Sequence, residues 1–503
     1  MSRVRRSALT FGSGLGYSAV TLVVGLIAVP LLIRWLGAEA YGAYRATSDW
    51  LAHLMLLEFG LAGALQPLLA RSLTEDTDAT SRVLAAGIRA YLGVTGIMMV
   101  AGAVLIATIG TLVPVGEALR GNLRAGVTVG VAGLLLVPFS PIRTLAEARQ
   151  RGYRVNAVLL VQSLVTTGLA LWLAWRGFGI AGQFVAVTAG LLLFVVLLAP
   201  GELRPFRRAF HYLRRPAVIA ESRRALRQLN LPTFLRQLSG RLSFLSDRII
   251  VAWLLGPVVV VPLYITQRLA EIVQVQLHGV ATATWAALAD LHAREHFDVF
   301  NRRLVELSRL VTVLAVAALV PIVAFNRTFV TLWVGLDRFG GPAVTLFAAI
   351  NAYLMALYVL WGWTFGGTGQ VARLVPMSIA VTVVNVVASI AGTMVFGMVG
   401  PLVGTTIGFV SVASWQLPRL LRHTFQTPVG SLLGGIAVPL ALGVPYGLAA
   451  WRLARVVEPS WFLLAAAMGA SALVYLGAAW FLVFSKDERV VYRGLLQRGR
   501  DGS

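Results

Sequence analysis

The sequence predicts an all-α polytopic membrane protein. It would hold two parallel six-helix repeats, an N-lobe and a C-lobe around a central cavity, plus two extra C-terminal helices. Three observations predict this. The chain has 503 residues, 58% of them hydrophobic and 13% charged, against about 25% charged in ordinary soluble domains. Apolar segments of the ~20 residues needed to cross a bilayer follow one another along its whole length, making about 14 transmembrane helices. Short motifs also return at a nearly constant offset of 218 or 219 positions.

The spans are expected at 11–34, 42–66, 84–113, 125–142, 156–175, 180–199, 231–254, 258–284, 304–325, 342–364, 375–396, 401–419, 431–451 and 461–484. Arg3, Arg5 and Arg6 precede an apolar run that reaches Ile33. That run is longer than the apolar core of a signal peptide, and no small-residue cleavage site follows, so it reads as a retained first span. The net charge is +22, and every basic residue but Lys486 is arginine. The arginines sit between apolar segments. This fits positive-inside topology and attraction to anionic membrane lipids, with no nucleic acid partner. With the N-terminus inside, the outer loops hold only Arg34, Arg120, Arg124, Arg176, Arg327, Arg338, Arg452 and Arg455. Both termini are therefore expected to be cytoplasmic.

The longest loop, 200–230, is bounded by Pro200, Pro205, Pro216 and Pro232. Its pieces Phe206–Arg215 and Ala217–Leu229 mix arginines with apolar residues and read as helices at the membrane interface. The expected organisation is an N-lobe at 1–200, an interfacial linker at 201–230, a C-lobe at 231–420, and the last two spans with a cytoplasmic tail at 421–503. The acidic group Glu75, Asp76 and Asp78 reads as a solvated loop. No loop is long enough for a soluble catalytic domain and there is no Walker sequence, which argues against ATP hydrolysis within the chain. The absence of cysteine excludes disulfides and thiolate metal sites.

The repeat rests on three places. Leu36-Gly37 returns as Leu255-Gly256, Gly60 as Gly279, and Gly179-Ile180-Ala181-Gly182 as Gly397-Met398-Val399-Gly400. Six spans per half is an even number, so the halves run parallel. Transporters built this way bind substrate between the halves and rock one against the other.

Intramembrane polarity concentrates in the second span and in the seventh and eighth. Arg45, Asp49 and His53 recur four apart and share one helix face; Glu58 lies off it. Arg241 and Arg248 share a face of the seventh span, with Asp247 off it. Gln267, Glu271, Gln274 and His278 form a stripe on the eighth, beside Arg268. Arg236 is placed to snorkel to the interface. Each charge facing lipid would cost roughly 2.5–3.5 kcal/mol, so these groups are expected to face protein or water. Structural pairing would join Arg45 to Asp49, Arg268 to Glu271, and Arg248 to Asp247 or a neighbour. The arginines outnumber the carboxylates on these faces, however, and surplus guanidinium suits a phosphate-bearing ligand. The expected ligands are Arg45, Arg241, Arg248 and Arg268, with Asp49, His53, Asp247 and Glu271 as ion-coupling groups or charge partners. No histidine has metal-ligand companions, and no nucleophilic triad is present, so neither a metal cofactor nor an enzyme is expected. Gly400, Gly404 and Gly408, like Gly12 and Gly16, read as packing stripes. Trp361 and Trp363 read as packing or anchoring residues, and the sequon Asn326-Arg327-Thr328 as chance.

The stretch Val29–Arg71 (VPLLIRWLGAEAYGAYRATSDWLAHLMLLEFGLAGALQPLLAR) carries a Leu-Gly, a Tyr41-Gly42 pair and a Gly-Leu-x-x-Ala-Leu ending. With Phe329–Gly335 and Phe396–Thr405 it resembles the Wzx-type lipid-linked oligosaccharide flippases. These belong to the multidrug/oligosaccharidyl-lipid/polysaccharide exporter (MOP) superfamily. The resemblance implies alternating access in a bacterial inner (cytoplasmic) membrane. A polyprenyl-diphosphate-linked glycan would be the substrate for polysaccharide biosynthesis, with polysaccharide polymerase and assembly proteins as partners. It implies no cofactor, with coupling to a proton or sodium gradient. Lipid II flippases and drug/cation antiporters share the superfamily. The lipid II branch has an Arg-Asp pair in its first span that this chain lacks.

Overall fold

The computed structural model describes residues 3–58, 60–215, 217–226, 247–486 and 488–490. Among them the chain is all helix and no strand occurs. Eleven helices are long and apolar enough to cross a membrane, or twelve if one bent pair counts as a single span. The expected count of about 14 is thus not reached among the described residues. The seventh expected span, 231–254, lies mostly outside them. The stretch Val371–Phe425, one of the eleven, holds two packed helices.

The chain divides into two compact units, Met1–Val261 and Pro262–Ser503. The first contains α1 (Arg3–Leu36), α2 (Ala38–Leu54), α3 (Leu61–Ser72), α4 (Thr77–Leu112), α5 (Glu117–Gly133), α6 (Pro141–Ala148), α7 (Gly152–Trp175), α8 (Gly179–Leu198) and α9 (Leu203–Leu213). It also holds α10, residues 247–255, and the first turn of α11 (Pro257–Ala293). Here α1 lies on α7, while α8 packs on α5 and α7. The short α9 covers α4, burying Phe206 and Ala209. It is therefore docked on protein along one face, within the piece expected at the interface.

The acidic loop before α4 is not merely solvated. Asp76 caps α4 by accepting from the Ala79 amide, which meets one of the orphan donors of a helix start. Asp78 meets Arg208 of α9 at 3.3 Å, and Glu75 meets Arg71 at 3.6 Å.

The second unit is organised on α12 (Phe297–Val334), which packs α13 (Pro342–Gly367), α17 (Val429–Val456) and α18 (Trp461–Leu482). Its buried Val313, Val316 and Ala317 cluster with Tyr446 of α17 and Tyr475 of α18. Those two rings stack at 4.8 Å, so the two C-terminal helices are seated on the α12 core.

Helices α14 (Val375–Phe396) and α15 (Gly400–Gly408), the latter continuing into α16 (Ser414–Phe425), form an antiparallel pair. A Cβ on Gly400 would stand 2.1 Å from the Thr393 amide nitrogen, and one on Gly404 would stand 2.3 Å from that of Ser389. Only glycine admits this approach, so that small-residue stripe is an interface. Gly12 and Gly16, expected to pack likewise, are exposed and have no described atom within 4 Å of a built Cβ.

The internal repeat appears in backbone angles. Gly37 and Gly256 turn the chain at φ 81° and 87°, and Gly179 and Gly397 at 59° and 61°. Side-chain-bearing residues rarely adopt these angles. Gly60, at φ 73°, stands in a helix break, whereas Gly279 lies within unbroken α11. Two of the three correspondences therefore share local geometry and the third does not.

Candidate functional site

Helix α2 leaves the Gly37 turn and buries Tyr41, Gly42, Ala43, Ala46, Thr47 and Asp49 along one side. Gly42 sits against the first turn of α11: a Cβ there would be 1.8 Å from the Pro257 carbonyl oxygen. The Tyr41-Gly42 pair thus marks a backbone-to-backbone crossing. Nearby, Tyr44 meets Phe184 of α8 edge-on at 5.3 Å, and Leu51 fills the space beside Gly130 of α5.

This crossing brings α10 alongside α2. Arg248 donates from Nε to Asp49 Oδ2 at 2.6 Å, with side chains 14% and 7% exposed. The geometry is that of a charge-assisted hydrogen bond. Arg45 is half-buried one turn before Asp49. His53, one turn after, places Nδ1 2.8 Å from the Asp49 carbonyl oxygen, so that ring nitrogen is occupied by its own helix. Asp247 is half-buried beside Arg248. In the second unit Arg268 lies 3.6 Å from Glu271, and its guanidinium carbon is 5.9 Å from the Tyr264 ring centre. Arg241, like Arg236, lies outside the described residues.

Of the expected site, then, Arg45, Asp49, His53, Asp247 and Arg248 come together in the first unit. Arg268 and Glu271 pair in the second. Asp49 bonds Arg248, on another helix. Among the described residues of the expected site, three arginines (Arg45, Arg248 and Arg268) are equalled in number by three carboxylates (Asp49, Asp247 and Glu271). The cationic surplus inferred from sequence rests on Arg241 and Arg236.

One feature of the second span lay outside the expected site. After α2 the chain makes a 3₁₀ turn, Met55–Glu58, and re-enters helix at Leu61. The two pieces are bent by 45°. A break inside a span frees backbone amides that lipid cannot satisfy. Glu58 answers this, its Oε1 accepting from the Ala62 amide at 3.3 Å. The same oxygen accepts from the hydroxyl of Tyr91, a fully buried residue of α4, at 2.5 Å. The signal available in sequence was a glutamate two residues before a mid-span glycine.

Polar groups in the second unit mostly satisfy one another. Asn385 Oδ1 accepts from Ser389 at 2.9 Å, Thr406 donates to Asn351 at 2.7 Å, and Trp361 Nε1 donates to Ser308 at 2.8 Å. Trp361 is 4% exposed and is a packing residue. Asn326 is buried in α12, donating to the Thr266 carbonyl at 2.8 Å, which leaves its sequon inaccessible. Among described residues no group of three metal-ligating side chains gathers.

A chain of many apolar helices with this architecture is a multi-pass membrane protein with the fold of MOP-type transporters. The solved structures that share it are specific. A lipid II flippase, MurJ, in an inward closed conformation matches at TM-score 0.68 and 12% identity, covering 98% of this chain and 100% of the other. An inward-facing multidrug resistance MATE transporter of the MOP superfamily matches at TM-score 0.62 and 15% identity, covering 86% and 96%. A MOP superfamily transporter from Pyrococcus furiosus matches at 0.54 and 16%, covering 89% and 96%. No family model matches the chain, and no curated protein matches its sequence. The structural neighbours are transporters and a flippase rather than enzymes.

Proposed function

We propose that this protein flips a polyprenyl-diphosphate-linked oligosaccharide from the cytoplasmic to the outer leaflet of a bacterial inner membrane, by alternating access. Both termini would be cytoplasmic, and anionic lipids would hold the arginine-rich inner loops. The observation that carries this reading is the pairing of Arg248 with Asp49 beside Arg45, within a span and 2.6 Å apart. Arginine presents a planar fork suited to diphosphate oxygens. A neighbouring carboxylate holds that fork in place until a stronger anion competes for it. Arg241 and Arg268 complete the proposed ligand set. The likeness to a flippase at full-chain coverage supports the same class of cargo.

The test is complementation of a flippase-null strain by variants with Arg45, Arg241, Arg248 or Arg268 changed singly to Ala and to Lys. Surface glycan should disappear in the Ala variants at normal protein level. Full complementation by all four Ala variants would overturn the reading.

A drug/cation antiporter is a second reading, favoured by the carboxylates Asp49, Asp247, Glu58 and Glu271 among the described span residues and by the MATE likeness. Loss of drug resistance on expression of D49N, with glycan export unaffected, would select it. Lipid II as cargo is a variant of the first reading, and rescue of a lipid II flippase depletion would identify it.

A further inference from the structure

We propose that the seam between α16 and α17 holds one anionic phospholipid, with its acyl chain in an aromatic cleft and its phosphate beside Arg422. Two cavities of the second unit make up this seam. The apolar one, of about 220 Å³, is lined by α13, by α16 with the turn before it, and by α17. Its deeper lining is Leu357, Trp361, Phe409, Ala413 and Leu417, each at most 6% exposed. At its mouth Leu433 and Leu440 are 45% and 39% exposed, on a helix long and apolar enough to cross a membrane. The medium outside that mouth is therefore hydrocarbon.

Three aromatic residues of the lining carry polar tips, and all three tips are bonded elsewhere. The hydroxyls of Tyr353 and Tyr358 bond those of Thr312 and Ser378 at 3.2 and 3.0 Å, and Trp361 Nε1 donates to Ser308 at 2.8 Å. None of these partners lines the cleft. The surface left inside is mostly carbon, which offers water few partners and suits an apolar chain. The five-residue π turn Phe409–Ala413 widens the helix at this level and sets Phe409 and Ala413 against the space.

The second cavity, of about 490 Å³, surrounds the loop that joins α16 to α17 and is lined by Arg422, Gln426, Thr427, Pro428, Val429 and Gly430. Trp415, Arg419 and Arg422 share one face of α16 by spacing, and all three are exposed. No Asp or Glu occurs between Asp337 and Glu458, so α13 to α17 carry no carboxylate to neutralise the two arginines. A lipid phosphate supplies that charge, and a tryptophan beside it sits where such rings anchor at headgroup level.

Val429 lines the polar cavity, and Leu433, Ile436 and Leu440 line the apolar one. These four recur at helical spacing on one face of α17, so the two cavities follow a single seam. From Val429 to Leu440 the helix rises about 17 Å, close to the ~15 Å of hydrocarbon in one leaflet. A phosphate at Arg422 thus leaves its chain at the depth of the aromatic cleft. The seam shares no residue with the cargo ligands proposed above and does not depend on them; only the choice of leaflet rests on the cytoplasmic placement of the α16–α17 loop.

The test is photolabelling of the full-length protein in phosphatidylcholine nanodiscs by a trace of phosphatidylglycerol that carries a diazirine in one acyl chain, followed by peptide mapping. Label should fall on peptides holding 409–417 and 433–440 and be displaced by unlabelled phosphatidylglycerol. Phosphatidylcholine with the same diazirine chain, at the same trace level, should label these peptides about tenfold less. R419A/R422A should remove that preference at unchanged Tm, both side chains being exposed. L433W, at the mouth of the cleft, should lower labelling by the anionic lipid. Equal labelling of the wild type by the two lipids, or R419A/R422A labelling as wild type does, overturns the proposal, and the wild-type comparison alone can do so.

Discussion

The Asp49–Arg248 bond can be tested for both its strength and its purpose with one set of variants. Its partners are nearly excluded from solvent, at 7% and 14% side-chain exposure, and 2.6 Å apart. Asp49→Asn leaves the guanidinium facing a neutral amide. Breaking one side of a buried ion pair typically costs about 3–5 kcal/mol. At ~2–4 °C per kcal/mol for a unit of this size, Tm should fall by on the order of 10 °C. The double variant D49L/R248M removes both charges and keeps much of the volume. Such replacements commonly recover stability to within ~1.5 kcal/mol. Thermal unfolding of the purified protein in detergent gives the four corners of the cycle. A coupling below ~0.5 kcal/mol would mean the pair does nothing for the fold. The same proteins then go into the flippase-null strain. If Arg248 only fastens α10 to α2, the double variant restores both stability and glycan export. If Arg248 also binds the diphosphate, that variant is stable and inactive. A stable and fully active double variant would refute its role as a ligand.

Four further outcomes follow from what individual positions touch. Gly42→Ala drives a Cβ to within 1.8 Å of the Pro257 carbonyl oxygen; with backbone on both sides unable to yield, a loss of about 1–3 kcal/mol or more is expected in thermal unfolding. Gly400→Ala and Gly404→Ala should sharply lower the yield of folded protein because their Cβ atoms would meet backbone nitrogens at 2.1 and 2.3 Å. Gly12→Ala and Gly16→Ala, which meet no described neighbour, should stay within about 0.5 kcal/mol of wild type. Glu488→Ala removes a capping box, in which Ser485 N donates to Glu488 Oε2 at 2.7 Å and Glu488 N to Ser485 Oγ at 3.2 Å. It also removes the acceptor of Arg309 at 2.6 Å, so the second unit should lose about 3–5 kcal/mol, read as a lower Tm with α18 exchanging first.

Most of the fold was legible because membrane helices announce themselves by length and hydropathy, and because turns that require glycine recur with the repeat. Gly37 and Gly256 illustrate this, matching in sequence surroundings and in φ. Less legible was whatever depends on a second helix. Periodicity identifies which residues share a face, so it offered Asp49 the nearest partner on its own helix, Arg45. Asp49 also bonds Arg248, which is 199 residues away. Nothing local to α2 encodes that choice; it follows from the Gly42–Pro257 crossing, which sets α10 beside the Asp49 face. The solvated acidic loop adds contacts of the same kind, since Asp78 finds Arg208 only once α9 folds back onto α4.

Glu58 falls outside the expected site for a different physical reason. Assigning it to an off-site face assumes a continuous helix of 3.6 residues per turn through the second span. The span breaks after Leu54, so face assignments made from Arg45 and Asp49 lose their meaning beyond it. The glycine at the equivalent place in the eighth span, Gly279, lies in uninterrupted helix. Two of the three glycine correspondences thus keep their turn, while the third pairs a break with continuous helix. Among the described residues, the break after Leu54 exposes an amide, that of Ala62, which Glu58 accepts from, whereas α11 runs on through Gly279 without a break.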